Sequence, residues 1–245
     1  MNNIFETTLG RAYNFDCFDV MASMPDGCVD MLFADLPYGT TACKWDTVIP
    51  FEKLWSEFKR ICKPSAAMVF TASQPFTSTL VTSNLKGFRY EWIWKKTRGT
   101  TPMQCKRRPN ALHESVLLFQ DGLLQYNPQM TEGKAYRISH LAGGLQAGNK
   151  TQSKEPFKGK ISNGGRWPVT VLEFSNPPST FHPTQKPVAL LEYLIKTYTH
   201  PGELVFDPTA GSLTTGVAAE NLGRRWVCCE QLEEYFTKGV ARFKL

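Results

Sequence analysis

The sequence predicts an α/β fold: a mostly parallel sheet with helices on both faces, interrupted by one irregular insertion. Three observations predict it. Short apolar runs recur along the chain without polar alternation, as strands buried on both faces require. Stretches with apolar residues at helical spacing separate several of these runs. Two runs end directly in an acid with a proline close behind, Asp35-Leu36-Pro37 and Asp207-Pro208, and open α/β sheets keep their ligand crevices at the C-terminal ends of such strands.

The elements follow in order. Val29-Asp30-Met31-Leu32-Phe33-Ala34 reads as a buried strand that delivers Asp35-Leu36-Pro37-Tyr38 to its C-terminal end. There an acid can accept hydrogen bonds from an amino group, Pro37 stiffens the turn, and Tyr38 offers a flat face to a base. Taken as a bare tetrapeptide, the same residues are also an ordinary strand end and turn. Phe51 to Cys62 places Phe51, Leu54, Trp55, Phe58 and Ile61 at helical spacing and stops before Pro64. Ala66 to Thr71 is a buried strand, with Ser73-Gln74 at its end, and Pro75 to Thr82 forms a helix. Tyr90 to Trp94 and Glu114 to Phe119 are strands joined by a basic loop.

From about Gly122 to Ser179 the periodicity collapses into Gly pairs, Lys, Ser and Asn. A compact domain rarely carries so long an irregular stretch without using it. Helical spacing returns at Val188 to Tyr198. Glu203-Leu204-Val205-Phe206 is a strand that ends in the small-residue loop Asp207 to Gly216, and Val217 to Leu222 has helical spacing. Strand, small-residue loop, helix is the arrangement that sets a polar ligand at a helix N-terminus. Arg225 to Cys229 is a further strand closing on Glu230, placed to bind the two ribose hydroxyls of a nucleoside. Leu232, Tyr235, Phe236, Val240 and Phe243 make the apolar face of a last helix.

Composition sets limits. A chain of 245 residues is long enough for one α/β domain with an insertion. A formal charge of +6 favours a polyanionic partner. No apolar run reaches membrane-spanning length and no basic-then-apolar leader opens the chain, so a cytoplasmic protein is expected. The seven cysteines form no C-x-x-C pair and are read as reduced thiols. His113, Glu114 and His182 lack metal-ligand spacing, and no metal is expected.

Together these segments resemble the β-class amino-methyltransferases of DNA, which methylate adenine N6 or cytosine N4. Asp35-Leu36-Pro37-Tyr38 is similar to that family's catalytic D/N/S-P-P-Y/F motif, and Asp207 to Thr215 to its D-P-F-x-G-S-G-T-T cofactor loop. His182-Pro183-Thr184-Gln185-Lys186-Pro187 matches its H-P-T-Q-K-P segment. Arg11 to Met21, with Asp16 followed by Cys17, resembles the segment whose acid meets the cofactor's adenine. The order, catalytic motif first and cofactor loop last, is that of the β class.

The resemblance implies a single Rossmann-like S-adenosylmethionine-dependent methyltransferase domain over residues 1–245, with about 122–180 as an inserted target-recognition region. It implies S-adenosylmethionine as cofactor and double-stranded DNA as partner, with homodimers common among similar enzymes. Asp35, Leu36, Pro37 and Tyr38 are the implied catalytic residues. The implied cofactor residues are Asp16, Cys17, Asp35, Thr184, Lys186, Asp207, Thr209, Gly211, Ser212, Thr214, Thr215 and Glu230, with Thr184 and Lys186 supporting the pocket rim. Asp16 and Glu230 could also serve as helix caps, and Thr214-Thr215 as a helix start, but their joint occurrence in the family's order outweighs these readings.

For DNA, the loop Lys95-Lys96-Thr97-Arg98 through Lys106, Arg107 and Arg108 is expected to contact phosphates, and Arg137, Lys150 and Arg166 supply further contacts from the insertion. Lys134, Lys154, Lys158 and Lys160 add charge there, and Tyr126, Tyr136, Phe157 and Trp167 add rings that stack or wedge; any one of them is also readable as a solvated surface residue. Trp45 belongs either to the substrate pocket or to the core. Two departures stand out: Leu36 where a proline is usual, and Leu213 where the loop usually has its second glycine. A leucine held at positive φ is strained, so a remodelled loop is expected.

The implied mechanism is direct transfer to a flipped base, without metal or covalent intermediate. Tyr38 stacks on the base, while Asp35 and the Leu36 carbonyl accept hydrogen bonds from the amine. The Asp at position 35 favours adenine N6, since cytosine-N4 enzymes usually have Ser there. A cytosine-N4 enzyme and a catalytically silent DNA-binding subunit stay open. A nicotinamide-dependent dehydrogenase is opposed by the absence of G-x-G-x-x-G.

Overall fold

The computed structural model describes residues 3–40, 43, 46–138, 160–177 and 180–243, with backbone alone for 136–138 and 160–162. It divides into two compact units, Met1–Asn127 with Thr170–Leu245, and Pro128–Val169.

The first unit opens with a hairpin of β1 (Ile4–Glu6) and β2 (Gly10–Tyr13), then α1 (Cys17–Ser23) and β3 (Val29–Ala34). Next come α2 (Phe51–Ile61), β4 (Cys62–Ala72), α3 (Phe76–Ser83), β5 (Phe88–Lys95) and β6 (His113–Phe119). In the second unit β7 (Thr131–Glu132) and β8 (Tyr136–Ile138) pair antiparallel with β10 (Gly165–Arg166) and β9 (Lys160–Ser162) respectively. The first unit resumes with β11 (Val171–Glu173), α4 (Val188–Tyr198), β12 (Leu204–Asp207), α5 (Thr214–Asn221), β13 (Arg225–Cys229) and α6 (Glu233–Val240).

Among the described residues one nine-stranded sheet runs in the order β1-β2-β13-β12-β3-β4-β6-β5-β11. Its centre is parallel, from β2 through β13, β12 and β3 to β4, while β6 runs antiparallel to both β4 and β5. All six residues of β3 are buried, as a central strand covered by helices on both faces requires. Successive residues serve opposite faces: Met31 and Phe33 join the core formed with α4 and α5, while Leu32 joins the one formed with α2 and α3. Helix α2 seals that second face with Leu54, Trp55, Phe58 and Ile61, the stripe its spacing predicts.

Several expectations need revision. The strand read as Ala66 to Thr71 begins four residues earlier, at Cys62, because a register irregularity against β3 absorbs its exposed start at Lys63–Ser65. The hairpin β1–β2 and the edge strand β11 carried no readable period; β11 buries only Leu172 of its three residues. Of the cysteines, Cys17, Cys62, Cys228 and Cys229 are buried, Cys43 and Cys105 are exposed, and all seven are free thiols. Among the described residues no helix is long and apolar enough to cross a membrane.

Candidate active site

Strands β3 and β12 lie side by side and parallel, with Val205 opposite Met31. From β3 the chain continues to β4 on one side, and from β12 to β13 on the other. Their C-terminal ends therefore flank the point where strand order reverses, the place such sheets bind ligands. A cleft of about 580 Å³ opens there, lined by Asp35, Tyr38, Asp207, Gly211 and Glu230 among others. Its volume is that of a pocket for a drug-sized ligand.

The catalytic-motif residues stand at one wall. Asp35 is held by three donors: the Lys186 Nζ at 2.8 Å on Oδ2, and the hydroxyls of Tyr38 at 2.7 Å and Thr71 at 2.5 Å on Oδ1. Thr71 reaches it because β4 pairs in register with β3, with Ala34 opposite Phe70. Glu114, at the start of β6, accepts from Lys186 at 3.1 Å, from the Tyr38 hydroxyl at 3.1 Å and from Lys96 at 2.8 Å. An antiparallel β6 brings its N-terminal end to the crevice, which is how this acid arrives. Burial by itself would raise the Glu114 pKa, but Lys186 and Lys96 outweigh it and hold it down to about 2. Burial likewise opposes the charge on Lys186, and Asp35 with Glu114 prevails, keeping the ammonium above its ordinary value. Burial, then Asp35 and Glu114, push the Tyr38 phenol well up, so it remains a neutral donor.

Tyr38 also stacks on Phe76, with centroids 4.8 Å apart and planes at 22°, so one ring face is already covered. Asp46 fixes the turn after it by accepting from the backbone N–H groups of Gly39 at 2.8 Å and Thr40 at 2.9 Å. Leu36 is buried. Lys186 borders the cleft while buried against Asp35. Thr184 bonds the ring of His182, Oγ1 to Nδ1 at 3.2 Å.

The loop after β12 forms the other wall. Asp207 is buried and accepts from the Thr209 N–H at 3.0 Å and from the Thr215 hydroxyl. The Thr209 hydroxyl reaches across to the Asp35 carbonyl at 3.2 Å, joining the two walls. Gly211 adopts φ +53°, and a Cβ there would lie 3.1 Å from the His182 ring, so both the backbone and the space demand glycine. Its N–H donates to Glu230 Oε2 at 2.8 Å, while Glu230 Oε1 accepts from Leu232 N–H at 2.8 Å. Ser212 and Thr214 hydroxyls bond each other at 2.9 Å, and Arg242 adds bonds to the Ser212 carbonyl and the Thr214 hydroxyl. These residues and Thr215 spend their polar groups on the loop's own shape.

Leu213 overturns one expectation. The loop is not remodelled: Leu213 takes the left-handed conformation, φ 55° and ψ 27°, that a glycine would. Its side chain is fully buried, and the space it fills exists because Gly239 of α6 has no Cβ; one built there would lie 2.7 Å from Leu213 Cγ.

Burial pushes Asp207 up to about 7, against the pull of its bonds from Thr215 and Thr209. Burial also raises Glu230 to about 7, and it lowers His182 to about 4 despite Asp35. Asp16 caps α1, accepting from the Phe18 N–H at 2.8 Å, and with buried Cys17 it borders the cleft. Burial pushes the Cys17 thiol up to about 12. Two acids poised near neutrality suit a cationic ligand rich in hydroxyl and N–H donors.

Among the remaining candidates, Lys106, Arg107 and Arg108 are exposed between β5 and β6. The Arg166 guanidinium bonds the carbonyls of Gly164 at 3.1 Å and Lys134 at 2.8 Å, and so cross-links its own unit. Arg137 lies on β8 with its side chain outside the description, as do those of Tyr136 and Lys160; Trp45, Lys150, Lys154, Phe157 and Lys158 lie outside the described residues. Glu114, Thr71 and Asp46 were not foreseen as site residues, and Lys96, expected among the phosphate contacts of the basic loop, is turned inward onto Glu114 instead. The readable signal was an acid opening an otherwise apolar strand at Glu114, and the strand end at Thr71.

The family model described as DNA methylase, N6_N4_Mtase, matches residues 29–241. DNA adenine methyltransferase YhdJ of Escherichia coli strain K12 is 27% identical over 242 residues, covering 93% of this chain and 80% of that protein. The M1.HpyAVI–SAM complex superposes with a TM-score of 0.64 at 23% identity, covering 96% of this chain and all of the other. The cytosine-N4-specific PvuII DNA methyltransferase gives 0.69 at 18% identity, over 98% and 88%. At those identities the two structures speak for the fold alone, a Rossmann-like methyltransferase sheet. The family match spans most of the chain, and the protein belongs to the N6/N4 family of DNA methylases.

Proposed function

We propose that this DNA methyltransferase transfers the methyl group of S-adenosylmethionine to the exocyclic N6 amine of an adenine flipped out of duplex DNA. The observation that carries the reading is the placement of Asp35. Its carboxylate stands at the switch point of the sheet, anchored by Lys186, Tyr38 and Thr71, while its backbone carbonyl accepts from the Thr209 hydroxyl of the loop after β12. Adenine is favoured over cytosine by the aspartate heading the motif and by the likeness to a DNA adenine methyltransferase.

An aromatic amine is a poor nucleophile because its lone pair is delocalised into the ring, and it is out of reach inside a duplex. Asp35, with lone pairs left over from its three donors, accepts one amine hydrogen, and the Leu36 carbonyl accepts the other. These bonds localise the lone pair and stabilise the positive charge that develops on nitrogen. The free face of the Tyr38 ring takes the base, its other face being set by Phe76. When bound, S-adenosylmethionine supplies an activated methyl on a sulfonium that leaves as a neutral thioether. Asp207 and the Gly211 loop hold its methionine portion, Glu230 its ribose and Asp16 its adenine, while Asp35 accepts the proton shed by the methylated nitrogen. Much of the rate comes from holding nitrogen, methyl and sulfur in line.

Lys106, Arg107 and Arg108 supply phosphate contacts, and the insertion at about 122–180 reads the target sequence. The test is methyl transfer to mixed-sequence duplex DNA with nucleoside analysis. N6-methyladenine is expected, and Asp35→Ala should lower kcat by roughly 10²–10³-fold with cofactor binding retained. N4-methylcytosine as product overturns the choice of base, and near-normal turnover of Asp35→Ala overturns the mechanism.

A further inference from the structure

Four charged side chains meet beneath the catalytic turn: Asp35 and Glu114 against Lys186 and Lys96. Their side chains are 15%, 5%, 8% and 12% exposed, so water screens them little. The cluster is balanced, two anions and two cations, as a buried group of charges must nearly be. Glu114 touches every other member of the arrangement except Asp35 itself. It holds the Lys186 ammonium at 3.1 Å, Lys96 at 2.8 Å, and the Tyr38 hydroxyl at 3.1 Å. Both Lys186 and Tyr38 are in turn donors to Asp35.

We infer that Glu114 is a positioning residue for methyl transfer: through Lys186 and Tyr38 it fixes the Asp35 carboxylate and offsets the lysine charge, keeping Asp35 a strong hydrogen-bond acceptor. The inference rests on the reading of Asp35 as the group that receives the amine. Lys186 alone beside Asp35 would withdraw charge from the carboxylate and weaken it as an acceptor. Glu114 shares that cation and restores the carboxylate's strength without approaching the substrate. Lys96 balances the charge that Glu114 introduces.

Other titratable groups face this carboxylate. His182 stays neutral above pH about 4, whereas Asp207 takes up a proton near pH 7 and would mix cofactor binding into the profile. The test therefore uses kcat at saturating S-adenosylmethionine across pH. In Glu114→Gln the Lys186 charge bears on Asp35 alone: kcat should fall at least tenfold, the KM for the cofactor should hold, and the acid limb should move down by roughly one pH unit. Lys186→Met should move the acid limb the opposite way by a similar amount. Glu114→Asp, which keeps the charge, should restore the wild-type limb. A merely structural role would lower activity without moving the limbs in opposite directions. Unmoved limbs, or loss of cofactor binding in Glu114→Gln, overturn the inference.

The product base is immaterial, since both adenine and cytosine present an exocyclic amine. Should the wild-type protein transfer no methyl to DNA, the reaction assigned above fails. The cluster is then read directly by NMR of the Lys186 ammonium, which should titrate lower in Glu114→Gln; an unchanged titration overturns the coupling.

Discussion

Replacing Leu213 by glycine tests whether strain or packing governs the loop after β12. The backbone argues for the change: a leucine in the left-handed region costs roughly 1–2 kcal/mol, and glycine removes that cost. Packing argues against it. The Leu213 side chain is fully buried, and emptying such a site costs about 2–5 kcal/mol. Glycine adds roughly 0.5–1 kcal/mol of unfolded-chain entropy. The balance is a loss of roughly 0.5–5 kcal/mol, centred near 3 kcal/mol, which lowers Tm by about 6 °C in a chain of this size. Urea or thermal unfolding of the variant measures it. The partner position sharpens the test. Gly239→Ala alone drives a methyl against Leu213 Cγ and should destabilise by about 1–3 kcal/mol. In the Leu213→Gly background the same alanine enters vacant space and adds helix propensity, so its effect should change sign. A Leu213→Gly protein more stable than wild type, or additive effects in the double variant, would refute the argument.

Two further predictions follow from the charges. Asp207 and Glu230 ionise near 3.8 and 4.5 when unfolded but near 7 in the folded chain; the native state binds more protons between those values, so these groups make the ligand-free protein more stable as pH falls from 8 to 6. Cofactor affinity should fall over the same interval as the two carboxylates lose their charge, and Glu230→Gln should flatten both trends; thermal melts and binding titrations that move together with pH would contradict this. Reversing Arg107 and Arg108 to glutamate should weaken DNA binding and reduce the salt slope by about two, with cofactor affinity intact, and an unchanged slope would remove these residues from the interface.

Much of this architecture was legible because local pattern and tertiary role coincide. The bounds of β3, α4 and β13 follow from apolar runs and helical spacing alone, since these elements are buried and uninterrupted. Asp35, Asp207 and Glu230 were readable as strand ends, and strand ends are where the crevice forms. Strand β11 was lost because three residues with one buried side chain leave no period. Glu114 was lost for a different reason. Its meaning depends on Lys186, 72 residues away, and on a strand running against its neighbours, neither of which a local window contains. Lys186 itself was recognised by motif, but a motif does not say which partners a side chain meets, and its pairing with Asp35 and Glu114 came only with the fold. Leu213 inverted the usual inference: the side chain said strain, the expected answer was a changed loop, and the compensation came from a missing Cβ on another helix.

The pair Lys96–Glu114 has a consequence beyond Asp35. Lys96 directly follows β5 and Glu114 is the second residue of β6, so the intervening excursion, which carries Lys106, Arg107 and Arg108 in its outer part, leaves and re-enters the body at one ion pair. Backbone pairing of Lys96 with Leu112 and of Thr100 with Ala111 continues the closure outward. The excursion is thus pinned at its neck. Its outer part is thereby set apart from the site, so substitutions among its basic residues leave the Lys96–Glu114–Lys186–Asp35 chain of contacts in place.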